Sequence, residues 1–134
     1  MNIFLVIFVA IFSSLITHVV THKFNKSPIF SSACLSLIFS ISTAYFFIPT
    51  LSNALNLVFF GGTFVGMTHN SVIRNWKQVS VAGFVFGLLY VLSSHIVKGY
   101  GGILGFKATI SVCATMGLIQ VLQLVAASFL RESP

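Results

Sequence analysis

Residues Ile3 to Thr21 form one long apolar run, IFLVIFVAIFSSLITHVVT, that contains no Lys, Arg, Asp or Glu. A helix needs about 20 apolar residues to cross a hydrocarbon core that is about 30 Å thick. A secretory signal peptide would begin with a basic segment and end at a small-residue cleavage site, and this run has neither feature. We therefore expect the run to be a retained transmembrane helix.

The composition of the whole chain agrees with this expectation. Of the 134 residues, 57% are hydrophobic and 6% are charged, and the mean hydropathy is +1.04. A soluble domain carries about 25% charged residues, which it needs to cover its water-facing surface. The composition excludes a soluble enzyme, a disordered chain and a small disulfide-built module. It predicts an all-α integral membrane protein whose first partner is the lipid bilayer, and we expect it in the bacterial inner (plasma) membrane.

We expect a polytopic bundle that forms a single transmembrane domain over residues 1–134. Its third segment is the uncertain one, because its fully apolar part runs only from Leu57 to Phe60 before the pair Gly61-Gly62. Two glycines weaken a helix by about 1 kcal/mol each relative to alanine. The third segment is therefore either a short, glycine-broken crossing or a re-entrant loop. With the crossing included there are five spans, over residues 3–21, 29–48, 51–68, 79–97 and 103–130.

The basic residues favour five crossings. The chain has seven Lys and Arg residues and one acidic residue, Glu132, which gives a net charge of +6. Cytoplasmic loops of membrane proteins carry an excess of Lys and Arg. Five spans, with the N-terminus outside and the C-terminus inside, give the larger excess of basic residues on the cytoplasmic side. The basic residues inside are then Lys23, Lys26, Arg74, Lys77 and Arg131, and those outside are Lys98 and Lys107. A re-entrant third segment would instead divide the basic residues almost evenly between the two sides. These charges are not clustered, so we expect no nucleic-acid partner.

Small and hydroxyl residues recur at helical spacing along several spans. Lipid gives no hydrophobic drive between helices, so close packing and polar contacts must hold a membrane bundle together. The stripes are therefore candidate packing faces, within this chain, in a homo-oligomer or against other membrane subunits, although interior hydroxyls also suit a polar pathway. The candidate packing residues are Ser32, Ser36, Ser40, Gly83, Gly87 and Gly117.

Two short glycine strings resemble each other. Phe60-Gly61-Gly62 recurs as Tyr100-Gly101-Gly102. Glycine-interrupted apolar segments in corresponding positions are a sequence pointer to a transporter site, because unwound backbone exposes polar groups to a substrate. The alternative is that Gly62 and Gly66 form a GxxxG helix contact and that residues 99–102 form a turn.

Lys107 is the one basic residue that falls within a predicted span. A lysine at the bilayer centre costs about 2.5–3.5 kcal/mol, so a buried one indicates function. The fifth span is long enough for Lys107 to lie at the outer interface and extend its ammonium to water. Alternatively, Lys107 lies beside Gly101-Gly102 at a helix N-terminus, where amide donors favour an anion. At 100° per residue it shares a helix face with Ser111.

No catalytic or metal motif is present. The chain has neither a Ser/His/Asp set nor a phosphate loop, so we do not expect an enzyme or a cofactor. His18 and His22 are four residues apart, and His69 is expected near the same cytoplasmic interface, but no carboxylate accompanies them. Cys34 and Cys113 have no ligand spacing, so no metal site is expected.

The function that we expect is that of a homo-oligomeric channel or transporter subunit for an anion or a small polar solute. The alternative is a non-transporting accessory or scaffold subunit of a larger membrane complex. The candidate pathway residues are Asn53, Asn56, Gly61, Gly62, Gly101, Gly102 and Lys107.

Overall fold

The computed structural model describes residues 3–23, 27–46, 49–69, 71–73, 75–93 and 101–132, with the backbone alone at 101 and 129–132. Every regular element in these ranges is an α-helix, which confirms the expected all-α fold. In chain order the helices are α1 (Ile3–Lys23), α2 (Pro28–Phe46), α3 (Pro49–Gly66), α4 (Trp76–Ser93) and α5 (Gly101–Glu132).

Four of these helices are long enough and apolar enough to cross a membrane. They are α1, α2, α4 and the Gly102–Ser128 part of α5, which have 21, 19, 18 and 27 residues. At a rise of 1.5 Å per residue these lengths correspond to about 27–40 Å. The helices are therefore those of a membrane protein.

The helix ends differ slightly from the predicted spans. Helices α2 and α3 begin at Pro28 and Pro49, because proline is favoured in the first turn, where its missing N–H is not needed. Helix α4 begins at Trp76, three residues before the predicted span, and α5 begins at Gly101. Residues 47–48 and 94–97 of the predicted spans lie outside the described residues.

Helix α3 continues without interruption through Gly61 and Gly62 to Gly66, so the expectation that the glycine pair breaks this helix is wrong. Both glycines are buried against neighbouring helices. A Cβ atom at Gly61 would collide with the ring of Phe86 on α4, and one at Gly62 would collide with the side chain of Ser13 on α1. Helix packing at these positions therefore compensates for the low helix propensity of glycine.

Helices α1, α3 and α4 form the centre of the bundle. Helix α1 packs against α3 and α4, and α3 contacts each of the other four helices. Gly83 and Gly87 of α4 lie against α1, where a Cβ atom at Gly87 would come within 3.3 Å of the Cβ atom of Ala10. Gly83 and Gly87 thus let α1 and α4 approach closely. The two remaining helices lie outside this centre: α2 lies against α3 and α1, and α5 lies against α4 and α3.

The other candidate packing residues have different surroundings. Ser32 of α2 is buried, and Ser36 and Ser40 are partly buried. Gly117 of α5 is exposed, and a Cβ atom built there would meet no atom within 4 Å. Gly117 therefore takes no part in packing within the described part of the chain.

Candidate functional site

Lys107 lies on the buried face of α5, and 8% of its surface is exposed. Positions three and four apart lie on one face of a helix, and the buried residues of α5 follow that spacing. Ser111, which was expected on the same face, is fully buried. The complete buried set on α5 is Leu104, Lys107, Ala108, Ser111 and Thr115.

The ammonium of Lys107 faces an aromatic ring on α4. Its Nζ atom lies 5.3 Å from the centroid of the Tyr90 ring, which is within the range of a cation–π interaction. The only acidic residue of the sequence, Glu132, follows 25 residues later on the same helix, which is about 37 Å along its axis. The described part of the chain therefore places no carboxylate beside Lys107.

Two further contacts connect Lys107 to the glycine pair of α3. The Phe86 and Tyr90 rings are 6.4 Å apart, and Phe86 packs on Gly61. Gly61, Phe86, Tyr90 and Lys107 therefore form one connected cluster across α3, α4 and α5. Sequence reasoning identified the first and last members and missed the two rings. The available signal was weak: Tyr90 is an amphipathic aromatic residue inside a predicted span.

The two asparagines lie elsewhere. The Thr43 hydroxyl of α2 donates a 2.8 Å hydrogen bond to Oδ1 of Asn56, and Nδ2 of Asn56 donates a 3.3 Å bond to the Ser40 hydroxyl. Asn56 thus joins α3 to α2, whereas Lys107 lies on α5. Asn53 is exposed. The structure therefore does not bring the asparagines to the lysine.

Gly101 and Gly102 form the start of α5, about 8–9 Å along the helix axis from Lys107. A Cβ atom at Gly102 would meet nothing within 4 Å. The backbone here is helical, unlike the unwound backbone expected at a transporter site.

An open groove of about 430 Å³ runs between α5 and the end of α3. Its lining is mainly apolar, with hydroxyl groups from Thr68 and Thr109. At 100° per residue, Lys107 projects from the other side of α5, so its ammonium does not enter the groove. The remaining lining residues include Phe64, Val72, Gly105 and Cys113.

Histidines gather at the C-terminal end of α1. The rings of His18 and His22 are 4.4 Å apart, and those of His22 and His69 are 6.4 Å apart. Nε2 of His22 lies 3.3 Å from the Thr68 carbonyl, which can only accept, so this nitrogen carries the proton. Within the described ranges, no three His, Cys, Asp or Glu residues are arranged to hold a metal ion.

Several buried polar atoms beside these histidines have no hydrogen-bond partner in the described part of the chain: Thr17 Oγ1, His18 Nδ1 and Thr21 Oγ1. Such atoms are uncommon in folded proteins. Other helical threonines donate to a carbonyl of the preceding turn, as Thr63 does to Phe60 and Thr115 does to Ser111. The C-terminal third of α1 therefore holds unused hydrogen-bonding capacity.

The fold and this geometry describe a small bundle of helices with the length and hydropathy of membrane spans, in which the side chain of Lys107 is buried on α5 and faces Tyr90 of α4. Comparisons with protein-family models, curated protein sequences and solved structures give no match.

Proposed function

We propose that this protein is a homo-oligomeric channel or transporter subunit, and that the solute it passes is an anion or a small polar molecule. The single observation that supports this is the buried side chain of Lys107, of which 8% is exposed. Removing a charged side chain from water is costly unless it is paired, and ionisable residues inside membrane proteins usually mark a substrate or ion pathway. The partner that an unpaired lysine favours is an anion, which makes an anion the first solute to test.

The aromatic partner of Lys107 also fits an anion pathway. The face of the Tyr90 ring carries partial negative charge, so it stabilises the ammonium without neutralising it. When Lys107 is protonated, its positive charge is still available to pair with an incoming anion. The buried Ser111 hydroxyl, one turn further along α5, already donates to the Ala108 carbonyl at 2.7 Å. That hydroxyl can still accept a hydrogen bond from the lysine.

We propose five crossings for the threading, with the N-terminus outside, the C-terminus inside, and α3 as one of the spans. The packing of α3 supports its inclusion, because α3 contacts all four of the helices that have the length and hydropathy of spans, or contain such a segment. In this threading the end of α4 and the start of α5 face outward. Tyr90 and Lys107 then lie in the outer half of the membrane. We propose the bacterial inner membrane as its location.

Anion efflux from vesicles tests the function. The purified protein is reconstituted into vesicles of neutral lipid loaded with potassium chloride, and valinomycin is added to carry the compensating potassium. We expect chloride efflux from the wild type and at least a tenfold loss with Lys107→Gln. The same assay is repeated with nitrate and with fluoride.

Lys77 offers a matched control for this experiment. It also lies over an aromatic ring, with Nζ 5.9 Å from the Trp76 centroid, but it is exposed. Lys77→Gln should leave efflux unchanged. Equal efflux from wild type and Lys107→Gln would contradict the role of Lys107, and a wild type that passes none of the three anions would contradict anion transport.

A second candidate function is that of a non-transporting accessory or scaffold subunit. It is favoured by the second half of α5, where most described side chains are exposed although many are large and apolar. Such a surface suits contact with another membrane subunit. Co-purification with a larger membrane protein, together with no anion efflux, is the outcome that would support this function over transport.

A further inference from the structure

Three buried polar side chains lie near the C-terminal end of α1, a helix that contributes no member to the cluster around Lys107. They are Thr17, His18 and Thr21, which are 0%, 8% and 5% exposed. Thr21 is four residues from Thr17 and three from His18. Residues at these spacings are neighbours on a helix, with about 5–6 Å between their Cβ atoms. We call this set the α1 polar cluster.

Each member of the α1 polar cluster has a polar atom that is buried and makes no hydrogen bond in the described part of the chain. These atoms are the two threonine hydroxyl oxygens and Nδ1 of the histidine. The hydroxyls of Ser13 and Ser14, one turn earlier on the same helix, donate to carbonyl oxygens of the preceding turn at 3.0 and 2.9 Å. Burying a polar atom without a partner is costly, and nearly all such atoms bond to protein or to ordered water. Three of them on adjacent residues therefore indicate a bound ligand.

The α1 polar cluster lies against the C-terminal end of α3. A Cβ atom at Gly66, the last residue of α3, would come within 2.7 Å of the Thr17 Cβ atom and 3.1 Å of the His18 backbone nitrogen. One turn further along α1, Nε2 of His22 donates to the Thr68 carbonyl at 3.3 Å. His22 is partly exposed. The cluster is therefore buried between two helices but lies one turn from a residue that solvent reaches.

Water is the ligand that fits this set of atoms. A threonine hydroxyl both donates and accepts, and a nitrogen of a neutral imidazole does one or the other, so the ligand must also be able to do both. A buried water molecule makes about three hydrogen bonds to otherwise unsatisfied polar groups, which is the number of atoms that the cluster offers. A metal ion does not fit, because no three His, Cys, Asp or Glu residues among those that the structure describes are arranged to hold one.

We propose that the α1 polar cluster binds an ordered water molecule, which joins the hydroxyls of Thr17 and Thr21 to the imidazole of His18. A hydrogen bond through such a water is nearly as favourable as a direct one. The water therefore replaces the solvent that these three side chains lose on folding, and it stabilises the C-terminal third of α1 beside the end of α3. This site depends neither on transport nor on the direction in which the chain crosses the membrane.

Magnetisation transfer from water to threonine methyl groups, measured by solid-state NMR in lipid bilayers, tests the site directly. Thr63 and Thr115 are matched controls, because they are 0% and 1% exposed and their hydroxyls donate to carbonyls of their own helices. We expect the transfer to reach Thr17 and Thr21 several-fold faster than it reaches either control. Equal rates at all four threonines would overturn the water site.

Thr17→Val gives a second measurement, in which the sign of the effect distinguishes a bound water from an unpaired hydroxyl. Valine has nearly the shape of threonine but no hydroxyl. Removing an unpaired buried hydroxyl would relieve its desolvation cost, so the unfolding temperature in detergent would rise. Removing a hydroxyl that binds water leaves the water without one of its partners. We therefore expect the unfolding temperature to fall by about 2–6 °C.

The two threonines should also respond to each other, because both hydroxyls bind the same molecule. In Thr17→Val we expect the transfer from water to the Thr21 methyl group to slow toward the rate at Thr115. Thr17→Ser keeps a hydroxyl and should retain the fast transfer at Thr21. A Thr17→Val variant with a raised unfolding temperature, or with unchanged transfer at Thr21, would contradict a shared water. Neither measurement involves anion efflux, so this proposal and the proposed function are tested separately.

Discussion

The ammonium of Lys107 on α5 lies over the ring of Tyr90 on α4, with 5.3 Å between Nζ and the ring centroid. This pair joins two helices by an attraction between a full charge and the face of an aromatic ring. The ring in turn lies near Phe86, which packs on Gly61 of α3. A substitution at Tyr90 should therefore affect both the stability of the bundle and the charge of the site.

Tyr90→Leu removes the ring face while keeping an apolar side chain. We expect a loss of about 0.5–2 kcal/mol in unfolding free energy and a reduced anion efflux, because the ammonium loses its partner. Tyr90→Phe keeps the ring and should retain most of the unfolding free energy and most of the anion efflux. Thermal unfolding in detergent and the vesicle assay measure the two effects. The cation–π role is contradicted if Tyr90→Leu and Tyr90→Phe behave alike.

Gly66 tests the close packing of α1 on α3. A Cβ atom at Gly66 would collide with the carbonyl oxygen of Ser14 and come within 2.7 Å of the Thr17 Cβ atom. Gly66→Ala should destabilise the protein by about 1–3 kcal/mol, because the backbone of α1 must move. Gly105→Ala is the control, since a Cβ atom there meets nothing within 4 Å. It should be neutral or stabilising by up to about 1 kcal/mol. Equal unfolding temperatures for the two variants would show that α1 and α3 are not packed this closely.

Asn56 tests the contact between α2 and α3. Asn56→Leu and Thr43→Val each remove a partner of the 2.8 Å hydrogen bond. A double-mutant cycle should give a coupling of about 0.6 kcal/mol, the average for hydrogen bonds between membrane helices. Asn53→Leu, at an exposed position, should change little. We expect anion efflux to survive Asn56→Leu, because Asn56 contacts α2 and not the lysine cluster. A coupling energy near zero would contradict a stabilising hydrogen bond between Thr43 and Asn56. A loss of efflux with Asn56→Leu would contradict the separation of Asn56 from the lysine cluster.

The sequence was sufficient to predict the all-α fold because a long apolar run indicates a membrane helix whatever the other helices do. The run from Ile3 to Thr21 needs no knowledge of its neighbours to be identified as a span. The expectation at Gly61-Gly62 was wrong for the opposite reason. Propensity describes an isolated helix, whereas this pair lies against Phe86 and Ser13 on other helices.

The candidate site also has one residue that the sequence identifies and others whose contacts depend on how the helices pack. Lys107 stands out in the sequence because a cation in an apolar run is rare. Its partner Tyr90 does not, because which ring meets the lysine depends on how α4 and α5 cross. Asn56 was grouped with the lysine on polarity alone, and its hydrogen bonds to Thr43 and Ser40 place it on the α2 side of α3.

The threading of α3 can be tested at its two ends. Thr50 lies in the first turn of α3, Asn75 lies just before α4, and both are exposed. In a chain without native cysteines, we expect Thr50→Cys to react with a membrane-impermeant thiol reagent from outside, and Asn75→Cys to react only after the membrane is opened. Labelling of both positions from the same side would show that α3 does not cross.

Anion-dependent unfolding of the purified protein tests the charge of Lys107 most directly. Chloride or nitrate is titrated against gluconate at constant ionic strength, and the unfolding temperature is recorded for wild type and Lys107→Gln. A bound ligand stabilises the folded state by about 2.7 kcal/mol at a hundred times its dissociation constant. We expect the wild-type unfolding temperature to rise with one of these anions and that of Lys107→Gln to stay level. A wild type that does not respond to either anion, or a Lys107→Gln variant that responds equally, would contradict an anion partner for the buried lysine.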